Sequence, residues 1–219
     1  MNLPDYSVVF DNWAFLMLGM KETLRISAFA VVLGFIIGSA VGLLRLSRVR
    51  VLKMAAGAYV EFIRGTPLLV QLYILYFGLP SIGIDLTART AAIIGLSINS
   101  GAYVAEIVRA GIQSIDKGQT EAARSLGMSG HLAMIFVILP QAFRRIIPPL
   151  VNEFIILIKD SSLLSLIAIT ELMRAGQHIR SRTYQDFEIF TAIAILYFIV
   201  TFILSNILGV LERRLQVSD

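Results

Sequence analysis

The sequence predicts an all-α integral membrane protein, from its composition and from the way its apolar residues are arranged. Of the 219 residues, 57% are hydrophobic and 16% are charged, whereas a soluble domain carries about a quarter charged residues. The apolar residues are gathered into long uncharged blocks, at residues 26–44, 65–84 and 189–211. An uncharged block of about 18 residues or more is long enough to cross the hydrocarbon core of a bilayer.

This pattern predicts a single transmembrane domain over residues 1–219 with about five spans. We place the spans at residues 20–45, 54–80, 88–113, 131–158 and 187–211. In the first span, Gly34 and Gly38 have the spacing of closely packed membrane helices, although ordinary glycine use in such a helix explains it equally well. We expect the fourth span to be broken by its prolines, Pro140, Pro148 and Pro149.

The basic residues predict the orientation of the chain. The link between the first two spans is short and has four basic residues and no acid: Arg45, Arg48, Arg50 and Lys53. Short basic loops stay in the cytoplasm, so five spans place the N-terminus outside and the C-terminus in the cytoplasm. Arg213 and Arg214 near the C-terminus agree with this orientation. The connector of residues 114–130 is then cytoplasmic, and the longer loop of residues 160–186 lies outside.

Several classes of site are excluded by residue types that the sequence lacks. There is no cysteine, which excludes disulfides, thiolate metal sites and cysteine nucleophiles. The only histidines are His131 and His178, so we expect no metal site. No G-x-x-x-x-G-K-[ST] pattern occurs, and a chain without this phosphate-binding loop is not expected to bind ATP itself. The net charge of +4 is explained by basic cytoplasmic loops and requires no nucleic acid.

The cytoplasmic connector contains a short polar stretch, EAARSLG at residues 121–127, that predicts a helix. Asp116 or Thr120 can cap the start of this helix, and the helix macrodipole favours an acid such as Glu121 near its N-terminus. Gly127 allows the positive φ that ends a helix and turns the chain sharply.

This helix would present a face of small residues. Ala122 and Ala123 carry little side chain, so a groove on another protein could approach the backbone closely. The pattern therefore indicates either a docking helix over about 117–130 or a plain connecting helix, and the residues alone give the two equal weight.

A longer pattern continues from this helix into the next span, and it consists of Glu121, Ala122, Ala123, Gly127, Val137, Leu139 and Pro140. It resembles the EAA signature of permease subunits of ABC importers, which usually have isoleucine at the position of Val137. Three further stretches, at residues 61–80, 100–115 and 139–172, are similar to the polar amino acid branch of these permeases, the His/Glu/Gln/Arg/Lys type. The resemblance covers most of residues 15–212.

The resemblance implies a type I ABC importer permease fold and an assembly of several subunits. The segment of about 117–130 would be the EAA coupling helix in a groove of a cytoplasmic ABC ATPase, with Glu121 serving docking and Gly127 the turn. Two ATPase subunits would bind ATP and Mg²⁺, and this chain would hold no cofactor and no catalytic residue. A second permease subunit, identical or related, and an external solute-binding protein would complete an amino acid importer in the inner or plasma membrane of a prokaryote.

Charged residues within the second and third spans form two local pairs. Glu61 and Arg64 are three residues apart, as are Glu106 and Arg109, so the members of each pair share a helix face and can form a salt bridge. We expect these pairs to be structural rather than to take part in transport.

Glu153 and Asp160 differ, because neither has a cation three or four residues away on its own helix. Seven residues are close to two helical turns, so both carboxylates lie on one stripe of the fourth span. Their partner must come from another helix or from a ligand, and a basic amino acid brings a side-chain cation and an α-ammonium group. The alternatives are neutralisation by Arg64, by Arg109 or by the second subunit. Asp160 can also cap an outer helix over about 161–176.

We therefore predict a basic substrate, arginine, lysine or histidine, with glutamine or glutamate as the alternative. Glu153 also lies in a stretch that resembles the family, so it can serve transport without selecting a basic substrate. The substrate α-carboxylate needs hydrogen-bond donors, and the candidates are Asn99, Tyr103, Gln71 and Tyr76. Each of them can instead form hydrogen bonds between helices, which is the commoner role of a polar residue in a membrane bundle.

Two other functions are weaker alternatives. Residues 127–130 read GMSG, which matches the G-x-S-G pattern of intramembrane serine proteases, with His178 as a candidate base. A serine–histidine pair needs hydrogen-bond contact, but Ser129 would lie in the cytoplasm and His178 outside. A secondary transporter also suits charged spans, but such folds usually contain two related halves, and the five spans show no repeat.

Overall fold

The computed structural model describes residues 4–216, and their side chains up to residue 210. This part of the chain is helical and contains no strand. Its α-helices are α1 (Ser7–Asp11), α2 (Trp13–Arg45), α3 (Arg50–Gly65), α4 (Leu68–Tyr73), α5 (Ala88–Gln113), α6 (Lys117–Ser125), α7 (Gly130–Ala133), α8 (Leu139–Asp160), α9 (Leu172–Thr183) and α10 (Asp186–Gln216). Further helical turns are the π-helical segments Ile74–Gly78 and Met134–Ile138 and the 3-10 segments Leu79–Ile82 and Ser161–Ile167.

Within the described residues, three helices are long and apolar enough to cross a membrane, Trp13–Arg45, Ala88–Gln113 and Asp186–Val210. They correspond to the first, third and fifth predicted spans, and the first of them begins earlier than predicted. A bent pair, Arg50–Gly65 with Leu68–Ile82, supplies a fourth span if the pair is counted as one. The all-α membrane class predicted from composition therefore agrees with the structure.

The second predicted span is not straight, because its two halves meet at 101°. The bend falls at Thr66 and Pro67, which both have extended backbone conformations. Proline has no N–H and disfavours helical backbone at the residue before it, so helix α3 stops at Gly65. Apolar content predicts a span here but carries no information about its bend.

The fourth predicted span is helical, and the break expected at its prolines is wrong. Pro140 occupies the second position of α8, and Pro148 and Pro149 lie inside the same helix. The π-helical turn Met134–Ile138 runs directly into α8 ahead of Pro140, and membrane helices tolerate interior prolines where neighbouring groups satisfy the freed carbonyls. Helix α8 carries too many charged residues to count as a membrane span by composition. Its crossing of the membrane therefore stays a prediction.

The two surface segments differ from their expected bounds. Helix α6 ends at Ser125 rather than near residue 130, because Gly127 has a φ of +86° and turns the chain. The outer segment expected over 161–176 is divided into two helices by Ala168, which has a φ of +67°. Helix α9 begins only at Leu172 and extends further along the chain than expected.

Helix α2 packs along α5 through glycines that lie one turn apart. A Cβ on Gly34 would lie 2.8 Å from Ser100 Oγ, and a Cβ on Gly38 would lie 2.5 Å from Val104 Cβ. Gly42 continues the contact one turn further along α2. These distances are well below van der Waals contact, so the close-packing interpretation of Gly34 and Gly38 is confirmed.

The apolar core is divided into three clusters along the bundle. The first joins α1, the start of α2, α9 and α10 around Leu172. The second includes Leu96 of α5 and Leu157 of α8, and the third includes Val104 of α5 and Ile146 of α8. Between these positions, α5 and α8 carry four buried polar side chains, those of Ser97, Asn99, Ser100 and Glu153. The candidate site therefore lies between the second and third clusters.

We expect Gly38→Ala to lower the melting temperature of the purified protein, because overpacking a tight contact costs about 1–3 kcal/mol. Gly57→Ala is the matched control, since a Cβ on Gly57 would meet nothing within 4 Å and alanine is the better helix former. Thermal unfolding of both variants in detergent measures the difference. An equal melting temperature in the two variants would show that the packing of α2 on α5 does not require the glycines.

Candidate functional site

A buried carboxylate lies in the middle of the bundle, since Glu153 of α8 is only 5% exposed. Its neighbours are the Ser100 side chain of α5 and, within electrostatic range, Asp160 and Arg64. No salt bridge of the described side chains includes Glu153 or Asp160. The two carboxylates predicted from the sequence are therefore near each other and have no cation in direct contact.

Asp160 ends helix α8 and is half-buried. Its side chain makes no capping hydrogen bond to the 3-10 turn that follows, so its alternative role as a helix cap is wrong. Arg109 forms a salt bridge with Glu106 and is not the partner of either carboxylate. Of the two arginines considered as neutralising groups, only Arg64 is within electrostatic range of Glu153.

Two buried serine hydroxyls were not among the predicted site residues. Among the described residues, Ser97 Oγ of α5 has no hydrogen-bond partner, and the Ser100 side chain of the same helix lies beside the Glu153 carboxylate. Buried polar groups are normally hydrogen bonded, so an unsatisfied hydroxyl marks a place where a water or a ligand can bind. Serine is common at helix contacts in membranes, and for this reason neither residue stands out in the sequence.

The side chains of Gln71 and Asn99 stabilise the bend between α3 and α4. Gln71 Nε2 donates to Ile63 O at 2.8 Å and to Thr66 Oγ1 at 2.9 Å, both near the end of α3. Asn99 Nδ2 of α5 donates to Gln71 Oε1 at 3.1 Å. Gln71 and Asn99 therefore form hydrogen bonds between helices, which is the alternative role predicted for them from the sequence. Their binding of a substrate carboxylate stays a prediction.

Arg64 and two tyrosines lie beside this bend. Arg64 Cζ lies 5.1 Å from the centroid of the Tyr103 ring on α5, which is a cation–π contact. The predicted salt bridge between Glu61 and Arg64 is wrong for the described chain, because Arg64 at the last turn of α3 reaches α5 instead. Tyr76 packs edge-on against Phe77 in the π-helical turn, with centroids 4.8 Å apart.

The second predicted charge pair is confirmed. Arg109 Nε lies 3.2 Å from both carboxylate oxygens of Glu106, and Arg45 from the end of α2 contacts the same carboxylate. Glu106 is therefore neutralised by two guanidinium groups, one on its own helix and one from the helix packed against it. This cluster joins the end of α2 to α5, and its net charge of +1 leaves no free carboxylate for a cationic ligand.

The start of the predicted coupling helix α6 is capped by one of the two residues predicted for this role. Asp116 Oδ1 accepts a hydrogen bond from the N–H of Gly118 at 2.6 Å, so Asp116 rather than Thr120 caps α6. This cap fixes the start of α6 just after the end of α5.

The exposed surface of α6 differs in part from the expectation. Glu121 and Ala122 are exposed, but Ala123 is 3% exposed because α6 packs against the π-helical turn Met134–Ile138. A partner can therefore approach Ala122 but not Ala123. Leu126, which follows the helix, is 84% exposed and presents an apolar side chain next to the turn at Gly127.

Ser129 and His178 do not form a catalytic pair. Ser129 Oγ accepts the N–H of Leu132 at 3.3 Å and caps α7. His178 lies on α9, where its ring packs edge-on against Phe15 near the start of α2. The protease alternative is therefore wrong.

Glu171 is a buried acid that was not predicted to have a role. Its carboxylate caps α9 by accepting the N–H groups of Met173 at 2.9 Å and Arg174 at 2.8 Å. Tyr197 Oη of α10 donates to the same carboxylate at 2.9 Å, and Thr23 of α2 lies beside it. Burial raises the pKa of the Glu171 carboxyl despite these donors. Glu171 thus joins α9 to both α2 and α10.

Comparison with known proteins gives matches over nearly the whole chain. Residues 30–217 match the family model described as binding-protein-dependent transport system inner membrane component. The probable glutamine ABC transporter permease protein GlnM of Bacillus subtilis (strain 168) is 42% identical over 97% of this chain and 98% of its own length. From the same strain, the L-cystine transport system permease protein TcyB is 44% identical over 93% of this chain and 88% of its own. The arginine transport system permease protein ArtQ is 39% identical over 100% of both chains.

Solved structures share the fold. A crystal structure of an amino acid ABC transporter with histidines matches with a TM-score of 0.94 and 44% identity, over 98% of this chain and 100% of that chain. A chain of the MetNI methionine ABC transporter in an inward-facing conformation matches with a TM-score of 0.78, over 93% of this chain and 97% of its own. At 22% identity, the second match is evidence for the fold alone.

We expect Glu171→Ala to loosen helix α9, because it removes the acceptor of two backbone N–H groups and of Tyr197 Oη. Loss of a helix cap costs about 1 kcal/mol, so amide hydrogens in residues 172–183 should exchange about fivefold faster or more. Hydrogen-exchange mass spectrometry measures this change. Asp85→Ala, which removes an exposed acid from the loop before α5, is the control and should leave α9 unaffected. Unchanged protection of α9 in Glu171→Ala would contradict the capping role.

Proposed function

Because the chain belongs to the binding-protein-dependent transport system inner membrane component family, we propose that it forms the translocation path for basic amino acids in an ATP-driven importer. Membership confirms the resemblance carried by the EAA pattern, the all-α type I importer permease fold, and a role in transport rather than catalysis. The relatives are named for glutamine, cystine and arginine, so their names do not select one substrate. The proposed substrate class therefore depends on the site.

The observation that carries this proposal is the buried Glu153 carboxylate without a salt bridge in the described chain. A charge at membrane depth is expensive, and leaving one member of a buried ion pair alone typically costs about 3–5 kcal/mol. A cationic ligand would remove this cost while it is bound. Arginine, lysine or histidine would offer its α-ammonium group to one carboxylate and its side-chain cation to the other, Asp160.

Glutamine or glutamate is the second candidate substrate, and the names of several relatives favour it. Either amino acid would satisfy Glu153 with its α-ammonium group but would bring no cation for Asp160. A neutral amide would instead bind to hydroxyl groups such as Ser97 Oγ, which has no partner in the described chain.

The partners in this proposal bind at the two membrane faces. Helix α6 would dock into a groove of an ABC ATPase through Glu121, Ala122 and Leu126, with Ala123 anchoring the helix to its own chain and Gly127 making the turn. Two such ATPases would bind ATP and Mg²⁺, and this chain would hold no cofactor. A second permease subunit, identical or related, would complete the path, and a solute-binding protein would deliver the amino acid from outside.

The proposed orientation in the prokaryotic inner or plasma membrane has the N-terminus outside and the C-terminus in the cytoplasm. Gly34 to Gly42 of α2 contact Ser100 to Val108 of α5 in the same order, so these helices run parallel. The basic link after α2 and the helix α6 after α5 therefore emerge at the same end of the bundle, which supports a cytoplasmic position for both. Arg213 and Arg214, used for the orientation, lie outside the described side chains.

We expect the native importer, reconstituted in proteoliposomes with its ATPase and binding protein, to take up arginine or lysine in preference to glutamine and only with ATP inside. Glu153→Gln and Asp160→Asn should each lower basic amino acid uptake by at least about tenfold, because each removes one charge partner of the ligand. Radiolabelled uptake measures this, and Asp85→Asn, in an exposed loop, is the control. Preference for glutamine, or full uptake by both variants, would contradict the substrate class, and uptake without an ATPase would contradict the importer.

We expect Gly127→Ala to weaken coupling, because alanine at a φ of +86° costs about 1–2 kcal/mol and would displace Leu126. Gly127→Asn should retain more coupling, since asparagine tolerates left-handed backbone. ATP hydrolysis stimulated by the loaded binding protein is the measurement. Gly130→Ala, at a glycine that starts α7 with an ordinary φ, is the control. If alanine and asparagine at position 127 give the same activity, the turn geometry does not control coupling.

A further inference from the structure

An apolar groove lies on the surface of the bundle between α2 and α8, with α5 as its floor. Phe35 and Leu43 of α2 form one wall, Phe143 of α8 lies on the other, and Val108 of α5 lies at the base. Seven of the eight residues that line this α2–α8 groove are apolar, the exception being Ser39, so a water would find almost no partner in it. The described chain leaves the groove open, since Phe143 is 54% exposed and Leu43 is 49% exposed.

The shape of the groove is fixed by glycine contacts on α5. A Cβ on Gly42 of α2 would lie 3.0 Å from Val108 Cβ of α5, and a Cβ on Gly111 of α5 would overlap the Ile146 side chain of α8. Both walls therefore pack closely on the same helix. The groove, of about 210 Å³, is the space left between their side chains.

The length of the groove matches one leaflet of a bilayer. It follows α2 from Phe35 to Leu43, and eight residues rise roughly 12 Å along a helix. One leaflet contributes about half of the roughly 30 Å hydrocarbon core. Leu43 lies two residues before Arg45, where α2 ends, so in the proposed orientation the groove lies in the cytoplasmic half of the membrane. A hydrocarbon chain in that leaflet can lie along its whole length.

Basic residues lie at the cytoplasmic end of the groove. Leu46, the first residue after α2, packs against the apolar cluster that contains Val108 and Ile146. Arg48 and Arg50 follow in the same link, both are exposed, and neither forms a salt bridge with a described residue. The link contains no acid that could neutralise them. The combination of an apolar groove and an unneutralised basic end matches an amphiphile with a long chain and a negative headgroup.

We propose that the α2–α8 groove binds an anionic phospholipid, with one acyl chain in the groove and the phosphate at Arg48 and Arg50. Basic segments next to a membrane span attract anionic lipids, and basic pockets between spans on the cytoplasmic side bind lipid headgroups. A second copy of this chain fits less well. A two-fold interface brings the same patch of both copies together, so two basic links would face and repel each other.

This lipid site is separate from the proposed substrate path. Val108 is five residues from Tyr103 on α5, and 3.6 residues per turn place the two roughly 140° apart around the helix. The groove therefore lies on a different face of α5 from the contact between Tyr103 and Arg64.

The test uses tryptophan fluorescence, because Trp13 is the only tryptophan of the chain. In the background of Trp13→Phe, Phe143→Trp places a single reporter in the groove. Phe202→Trp on α10 is the control reporter, since Phe143 and Phe202 are each 54% exposed. The full-length protein is reconstituted in phosphatidylcholine vesicles that contain a minor fraction of dibrominated phosphatidylglycerol or of dibrominated phosphatidylcholine. Bromine quenches a tryptophan that it contacts, so quenching measures which lipid lies beside each reporter.

We expect the groove reporter to show a relative binding constant of at least about fivefold in favour of phosphatidylglycerol, the gain from one basic residue near an anionic group. The control reporter should show a constant near one. Arg48→Gln with Arg50→Gln should bring the groove value to about one, whereas Arg48→Lys with Arg50→Lys should keep most of the preference. Lys21→Gln with Arg182→Gln, exposed toward the outer end, removes the same charge and should leave the preference unchanged.

Three outcomes would overturn the proposal. Equal quenching by the two lipids at the groove reporter would mean that ordinary boundary lipid fills the groove. Quenching by neither lipid would mean that protein, such as a second copy of the chain, covers it. A preference that survives the loss of both arginines would contradict their role. Phe35→Trp, at the other end of the groove, is the second reporter if Phe143→Trp does not fold, and it should give the same preference. No measurement here uses transport, so the result is independent of the proposed function.

Discussion

The bend between α3 and α4 is the constraint on which the rest of the site depends. A break inside a membrane frees backbone carbonyls that no water can satisfy, so the protein has to satisfy them itself. Gln71 does this by donating to Ile63 O and to Thr66, and Asn99 of α5 holds the Gln71 amide in place. The end of α3 is thereby fixed against α5, and this brings the guanidinium of Arg64 over its aromatic partner.

The glycine contact between α2 and α5 has a second consequence for function. Only a glycine at position 34 leaves room for the Ser100 hydroxyl, which lies beside Glu153. From there α5 continues without interruption to Gln113, and α6 begins a few residues later at Lys117. A displacement of α6 by a docked ATPase would therefore reach the polar site through one continuous helix that is held along its length by α2.

Features that depend on neighbouring residues could be predicted from the sequence, and features that depend on distant residues could not. The Glu106–Arg109 salt bridge follows from a spacing of three residues, just as the spans follow from runs of apolar residues. The hydrogen bond between Gln71 and Asn99 joins residues 28 positions apart, and nothing in either local sequence indicates it. The spacing of three residues predicted a salt bridge between Arg64 and Glu61, and this prediction was wrong because Arg64 contacts Tyr103 on another helix instead.

The acids at the helix contacts of the bundle differ in whether the chain itself supplies their partners. Glu106 is neutralised by two arginines, and Glu171 accepts hydrogen bonds from two backbone N–H groups and a tyrosine. Glu153 has no comparable partner, so its incomplete environment is a property of this position and not of the bundle in general. The anion on α8 and the cation of Arg64 on α3 are carried by different helices. A change in the separation of these helices would therefore change the field that Arg64 exerts on Glu153.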